Sequence, residues 1–100
     1  MNKGKNIFKA YEASQYKEMM SLLANLDEEQ FQAITLDEMT LLHHVAFDGN
    51  IEVFHMLKSL PYFRDVVDSD NNEMGWTPLL WAASRGEVEM VKALVEEGGA

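Results

Sequence analysis

Residues 74–100 read MGWTPLLWAASRGEVEMVKALVEEGGA, and this stretch decides the fold. Gly75 ends an extended arm, at a place where a positive φ is reached cheaply only without a side chain. Thr77 can cap a helix through its hydroxyl, and Pro78 fits the first helical position because no amide donor is missed there. Leu79, Ala82 and Ala83 then fall at helical spacing, the alanines being small enough for a neighbouring helix to approach closely. Gly86 stops this helix in a left-handed cap. Val88, Val91, Leu94 and Val95 form the apolar stripe of a second helix, which Gly98 stops in turn. The unit is a helix–turn–helix that cannot bury its own apolar faces, so it needs neighbours.

The same unit recurs upstream. Thr40-Leu41-Leu42-His43-His44-Val45-Ala46-Phe47-Asp48-Gly49 matches Thr77 to Gly86 position for position at an offset of 37 residues. Ile51, Phe54 and Leu57 follow where the last unit has Val88, Val91 and Leu94. A weaker copy lies 35 residues earlier, with Ile7, Phe8, Ala10, Tyr11 and Ser14 standing for Leu42, His43, Val45, Ala46 and Gly49. Tyr16, Met19, Leu22 and Leu23 continue its stripe. Loss of Thr-Pro and Gly from the first copy is what a terminal capping unit shows.

These residues carry a resemblance to the ankyrin-repeat family. Thr77-Pro78-Leu79 with Ala82-Ala83 and Gly86, and Thr40-Leu41-Leu42-His43 with Leu41 in place of proline, match its T-P-L-H signature. The resemblance implies an all-α solenoid of about three helix–turn–helix repeats, with hairpin-like finger loops between them. Repeats are placed at approximately 5–36, 37–73 and 74–100 of a single domain. The periods exceed the usual length of about 33 residues, so extra residues must lie in the connections Asp27–Thr35 and Ser59–Glu73. In the second connection Pro61 ends a helix, Tyr62, Phe63 and Val66 fold back on the second-helix layer, and the polar run Asp68–Glu73 forms a finger tip; the alternative is that this insertion binds a partner. The outward face of the last helix pair reads as an internal repeat, implying the N-terminal part of a longer array. The alternative is a three-repeat protein that closes its end by self-association or with a partner.

In this family the first helices line a concave surface whose variable positions and finger loops bind other proteins. The resemblance places there Lys9, Glu12 and Ala13 in the first repeat, His44, Phe47 and Asp48 in the second, and Trp81, Ser84 and Arg85 in the third. Met39 and Trp76 take the matching finger positions before each Thr. A Trp and a Phe flanked by Arg and Asp have the composition of a binding hot spot. The implied function is a non-catalytic adaptor module; the alternative is a regulatory or targeting array of a larger enzyme or channel. Gly75-Trp76-Thr77-Pro78 and Met90–Leu94 also resemble the gankyrin-type proteasome assembly chaperones within the family.

Composition narrows the partner. The formal net charge is −9, with 17 acidic against 8 basic side chains. Phosphate contacts need clustered Lys and Arg, so nucleic acid is excluded and a basic or mixed-charge protein surface is favoured. No small-molecule substrate or cofactor is implied. The chain has no cysteine, which removes thiol catalysis and disulfide frameworks. No apolar run approaches signal-peptide or membrane-spanning length, so cytoplasm or nucleus is the expected compartment. His43, in the signature slot, is implied to hydrogen-bond the turn backbone. His44 and Asp48 lie one helical turn apart, but two ligands make no metal site. His55 is read as a helix-surface pair with Glu52. Met19, Met56 and Met90 are read as packing residues of the second helices and not as a pliable groove.

Overall fold

The computed structural model describes residues 3–70 and 74–99 of the chain. Three helix pairs follow one another: α1 (Lys3–Glu12) with α2 (Tyr16–Leu23), α4 (Leu41–Asp48) with α5 (Ile51–Leu57), and α7 (Pro78–Ser84) with α8 (Val88–Glu96). Two shorter helices, α3 (Glu28–Ala33) and α6 (Phe63–Val66), occupy the long connections, and strands β1 (Thr35–Leu36) and β2 (Met39–Thr40) form a hairpin finger.

Local chemistry sets where the first helices begin. Thr77 Oγ1 accepts the Leu80 N–H at 3.3 Å and Pro78 opens α7. At Thr40 the cap runs through a histidine. Its N–H and its hydroxyl lie 3.1 and 2.8 Å from His43 Nδ1. A nitrogen that accepts these donors carries no proton, so the neutral ring holds its hydrogen on Nε2. From there it reaches the Ser69 carbonyl at 2.7 Å. His43 is fully buried, and burial holds its pKa below the ordinary value against the pull of the Ser69 backbone bond. The role implied for His43 is therefore met, and its ring also ties α4 to the connection that follows α5.

Each first helix closes into its partner by the same turn. At the end of α4, Gly49 has φ 66° and its N–H reaches Ala46 O, while Asn50 N–H reaches back to Val45 O. Gly86 repeats this with Ala83 and Ala82, and Ser14 with φ 60° repeats it with Tyr11 and, through Gln15 N–H, Ala10. These paired bonds satisfy carbonyls that a helix end would otherwise leave orphaned.

The connections depart from the sequence expectation by forming helices. Asp27 and Gln30 exchange side-chain bonds to each other's backbone N–H at 2.8 and 3.1 Å, a capping box that starts α3. The α3 and α6 helices pack on each other, with the rings of Phe31 and Tyr62 5.4 Å apart and the Tyr62 hydroxyl donating to Leu23 O at 2.9 Å. Tyr62, Phe63 and Val66 are buried, as the fold-back reading requires. Pro61 lies beyond the end of α5, between it and α6. In the first finger, Thr35 pairs with Thr40 and Leu36 with Met39, and Asp37 and Glu38 turn the chain with φ of 53° and 63°. The corresponding tip expected at 68–73 falls partly outside the described residues, which omit 71–73.

The core is continuous from Ile7 and Met19 through Leu42, Val45 and Phe54 to Ala82, Met90 and Leu94. Four expectations change here. The buried side of α8 is Met90, Ala93 and Leu94; Val88 and Val95 face outward, 61% and 48% exposed, because no element packs beyond them among the described residues. Ala83 is also exposed, so of the alanine pair Ala82 alone is buried. The left-handed residue after α8 is Gly99, φ 75°, while Gly98 is buried where a Cβ would meet the Leu94 carbonyl at 2.9 Å. His55 pairs not with Glu52 but with Glu97 of the next repeat at 3.1 Å, a carboxylate brought to it by the docking of α8 against α5. Lys58 joins it at 3.0 Å and, with His55, holds the Glu97 pKa below the usual range. Among the methionines read as packing, Met19 and Met90 are buried and Met56 half-buried.

Candidate partner-binding face

The first helices of the three pairs stand side by side. Between α1 and α4 the Phe8 ring meets His44 edge-on at 5.3 Å, and the Tyr11 hydroxyl donates to Asp48 Oδ2 at 2.7 Å. Burial and that carboxylate push the Tyr11 pKa well above the ordinary phenol value, so the hydroxyl remains a donor at physiological pH. Between α4 and α7 the contact is aromatic. Phe47 and Trp81 meet at 5.8 Å in a T-shaped pair, and Trp76, just before the Thr77 cap, lies 4.8 Å from Trp81. The Arg85 guanidinium sits 4.7 Å above the Phe47 ring centroid, within cation–π range.

The eight residues placed on this side in the second and third repeats thus divide into groups. Phe47, Trp76, Trp81 and Arg85 form one cluster across two repeats. Phe47, Trp76 and Trp81 are half-buried and Arg85 is exposed. The Trp81 Nε1–H is enclosed and has no acceptor among the described residues. Ser84 is exposed beside the cluster, its hydroxyl returned to the Trp81 carbonyl at 2.9 Å. Met39 and His44 belong to the finger: Met39 is in β2, and His44 Nε2–H donates to Leu36 O at 2.7 Å, tying α4 to the hairpin. Asp48 is exposed and serves Tyr11, so His44 and Asp48 point to separate partners and share no site. Among the described residues no group of three or more His, Cys, Asp or Glu is placed to hold a metal ion. None of the described helices is long and apolar enough to cross a membrane.

One feature of this side has no counterpart among those eight. A groove of about 540 Å³ runs between α1 and the finger, with Lys5, Phe8, Lys9 and Glu12 on its helix wall and Ile34 and Leu36 on its finger wall. Lys9 and Glu12 were placed on the concave side by the repeat alignment. Leu36 escaped because a two-residue strand carries no periodicity to mark it.

A family model for ankyrin repeats matches residues 7–100 as three copies. Repeats of this kind are general protein–protein interaction modules. No solved structure matches the chain.

Proposed function

This chain belongs to the ankyrin-repeat family, and from that premise we propose that it is a non-catalytic recognition module whose binding side is formed by α1, α4, α7 and the finger. The observation that carries the reading is the cluster of Phe47, Trp76, Trp81 and Arg85. Large rigid aromatic surface beside an arginine is the composition that dominates interface energetics, because it offers contact area at little cost in side-chain freedom. The side carries both signs of charge, with Lys5, Lys9 and Arg85 against Glu12 and Asp48, so a mixed-charge partner suits it better than a uniformly basic one. The same surface serves an adaptor or a regulatory array within a larger enzyme or channel.

Affinity capture with the wild-type chain and with Phe47→Ala/Trp81→Ala tests this, circular dichroism establishing that both baits are folded. A protein retained by the wild type and lost from the variant is the expected result. Equal retention by two folded baits rejects the aromatic cluster as the binding centre.

A further inference from the structure

We infer that the aromatic cluster receives a lysine or arginine side chain of a partner protein, and that Arg85 is an internal occupant which this side chain displaces. The inference rests on the preceding reading of the cluster as the binding centre and specifies what that centre takes. The structure already holds a cation there: the Arg85 guanidinium lies 4.7 Å above the centroid of the Phe47 ring. An aromatic face is electron-rich and attracts positive charge, and Trp offers the strongest such face. Trp81 meets Phe47 at 67° and Trp76 at 58°, so the rings are not stacked flat on one another. All three are half-buried and keep accessible surface. Arg85 is exposed and joins neither of the ion pairs His55–Glu97 and Lys58–Glu97, so it can leave the Phe47 ring without breaking a salt bridge.

Charge near the cluster points the same way. Asp48 follows Phe47 and is exposed; it accepts the neutral Tyr11 hydroxyl, a bond that leaves its negative charge in place. The Glu87 carboxylate belongs to the residue two beyond Arg85 and lies against Gly49, where a Cβ would overlap it. Neither acid joins the two ion pairs. Carboxylates at Asp48 and Glu87 therefore accompany a site whose own basic group is Arg85, in a chain of net charge −9. The long-range potential steers a cation toward such a surface, and the nearby acids retain it within the Debye length of about 8 Å. An internal occupant lowers apparent affinity by the fraction of time that it fills the site, so Arg85 sets a threshold that the partner cation must exceed.

Panning a random peptide library on the full chain tests the assignment, with Phe47→Ala/Trp81→Ala, Arg85→Gln and Lys92→Gln as parallel baits and circular dichroism establishing that each is folded. Enriched peptides should carry a Lys or Arg, and synthetic copies with that residue changed to Ala should bind about tenfold more weakly. Arg85→Gln should bind the same peptides about threefold more tightly than the wild type, because the ring face is no longer filled from within. Lys92→Gln removes an equal charge from an exposed position of α8 and should leave the affinity near that of the wild type. That control separates displacement of Arg85 from a change in net charge. No enrichment, unchanged or weaker binding by Arg85→Gln, or an equal gain from Lys92→Gln each overturn the inference. Peptides lost from Phe47→Ala/Trp81→Ala but lacking a basic residue, or indifferent to its removal, reject the cation while leaving the cluster as a binding centre. Basic peptides retained by that double variant reject both readings.

Discussion

Ser14 holds a φ of 60° where Gly49 and Gly86 hold 66° and 70°. The backbone bonds of the turn are the same in all three, so the conformation is imposed by the repeat and the serine accepts it at a cost. A left-handed L-residue costs roughly 1–2 kcal/mol, and glycine returns part of that through its freer unfolded chain. Ser14→Gly should stabilise the protein by about 0.5 kcal/mol, read as an increase of about 2–4 °C in Tm. A Tm that falls would show that the serine side chain contributes something the turn geometry does not. His43 gives a second prediction at this scale. Its pKa is lowered in the fold, so below the unfolded value of about 6.5 the unfolded chain binds a proton that the native ring refuses. Its contribution is present in full above that pH and declines as the pH falls through 6.5 toward the lower folded value. His43→Gln should therefore be less stable at pH 7.5 and show a shallower loss from pH 7.5 to 5.5, checked by urea midpoints across that range.

Helices α3 and α6 turn two long connections into a third layer, and Tyr62 is the link that can be tested without removing volume. Its hydroxyl bonds Leu23 O at the end of α2, and burial pushes its pKa up to about 12. Tyr62→Phe keeps the ring against Phe31 and leaves the Leu23 carbonyl with the Leu26 N–H as its donor, so the loss of one hydrogen bond should cost about 1 kcal/mol in chemical denaturation. An unchanged midpoint would mean that the layer is held by its apolar contacts alone. These helices also mark the limit of what the sequence discloses. Starts of α4 and α7 are legible because Thr40 and Thr77 precede them, and the offsets of 35 and 37 place every first and second helix. At 6 and 4 residues, α3 and α6 are too short for an apolar period, although Asp27 and Gln30 do spell a capping box. The partner of His55 was illegible for another reason: Glu97 is chosen by the docking of α8 against α5, a tertiary fact.

Across the whole molecule, the same alignment shows what a neighbouring repeat contributes. His43 and Ala46 are fully buried on α4, the helix that packs against α7 of the repeat that follows. Their equivalents 37 residues on, Leu80 and Ala83, are exposed, Leu80 at 49%. Val88 and Val95 extend this apolar face along α8. Sequence alone identified Ala83, Val88 and Val95 as interior in character, and it identified Phe47, Trp76, Trp81 and Arg85 one by one. It did not show that those four touch, because their contacts depend on how α7 sits against α4. Leu80 occupies the slot from which His43 bonds the next connection, so this end offers contact area without that directed bond. Apolar area of this kind favours association, at roughly 25 cal/mol per Å² removed from water. The 100-residue chain should therefore self-associate in sedimentation velocity as its concentration rises. Leu80→Gln/Val88→Thr/Val95→Gln should stay monomeric with about 0.5 kcal/mol or less of stability change per site, since these side chains are largely in water already. Equal association by the triple variant would move the contact to another face, whereas a monomeric wild type would show that this area is too small or too dispersed to hold two copies together.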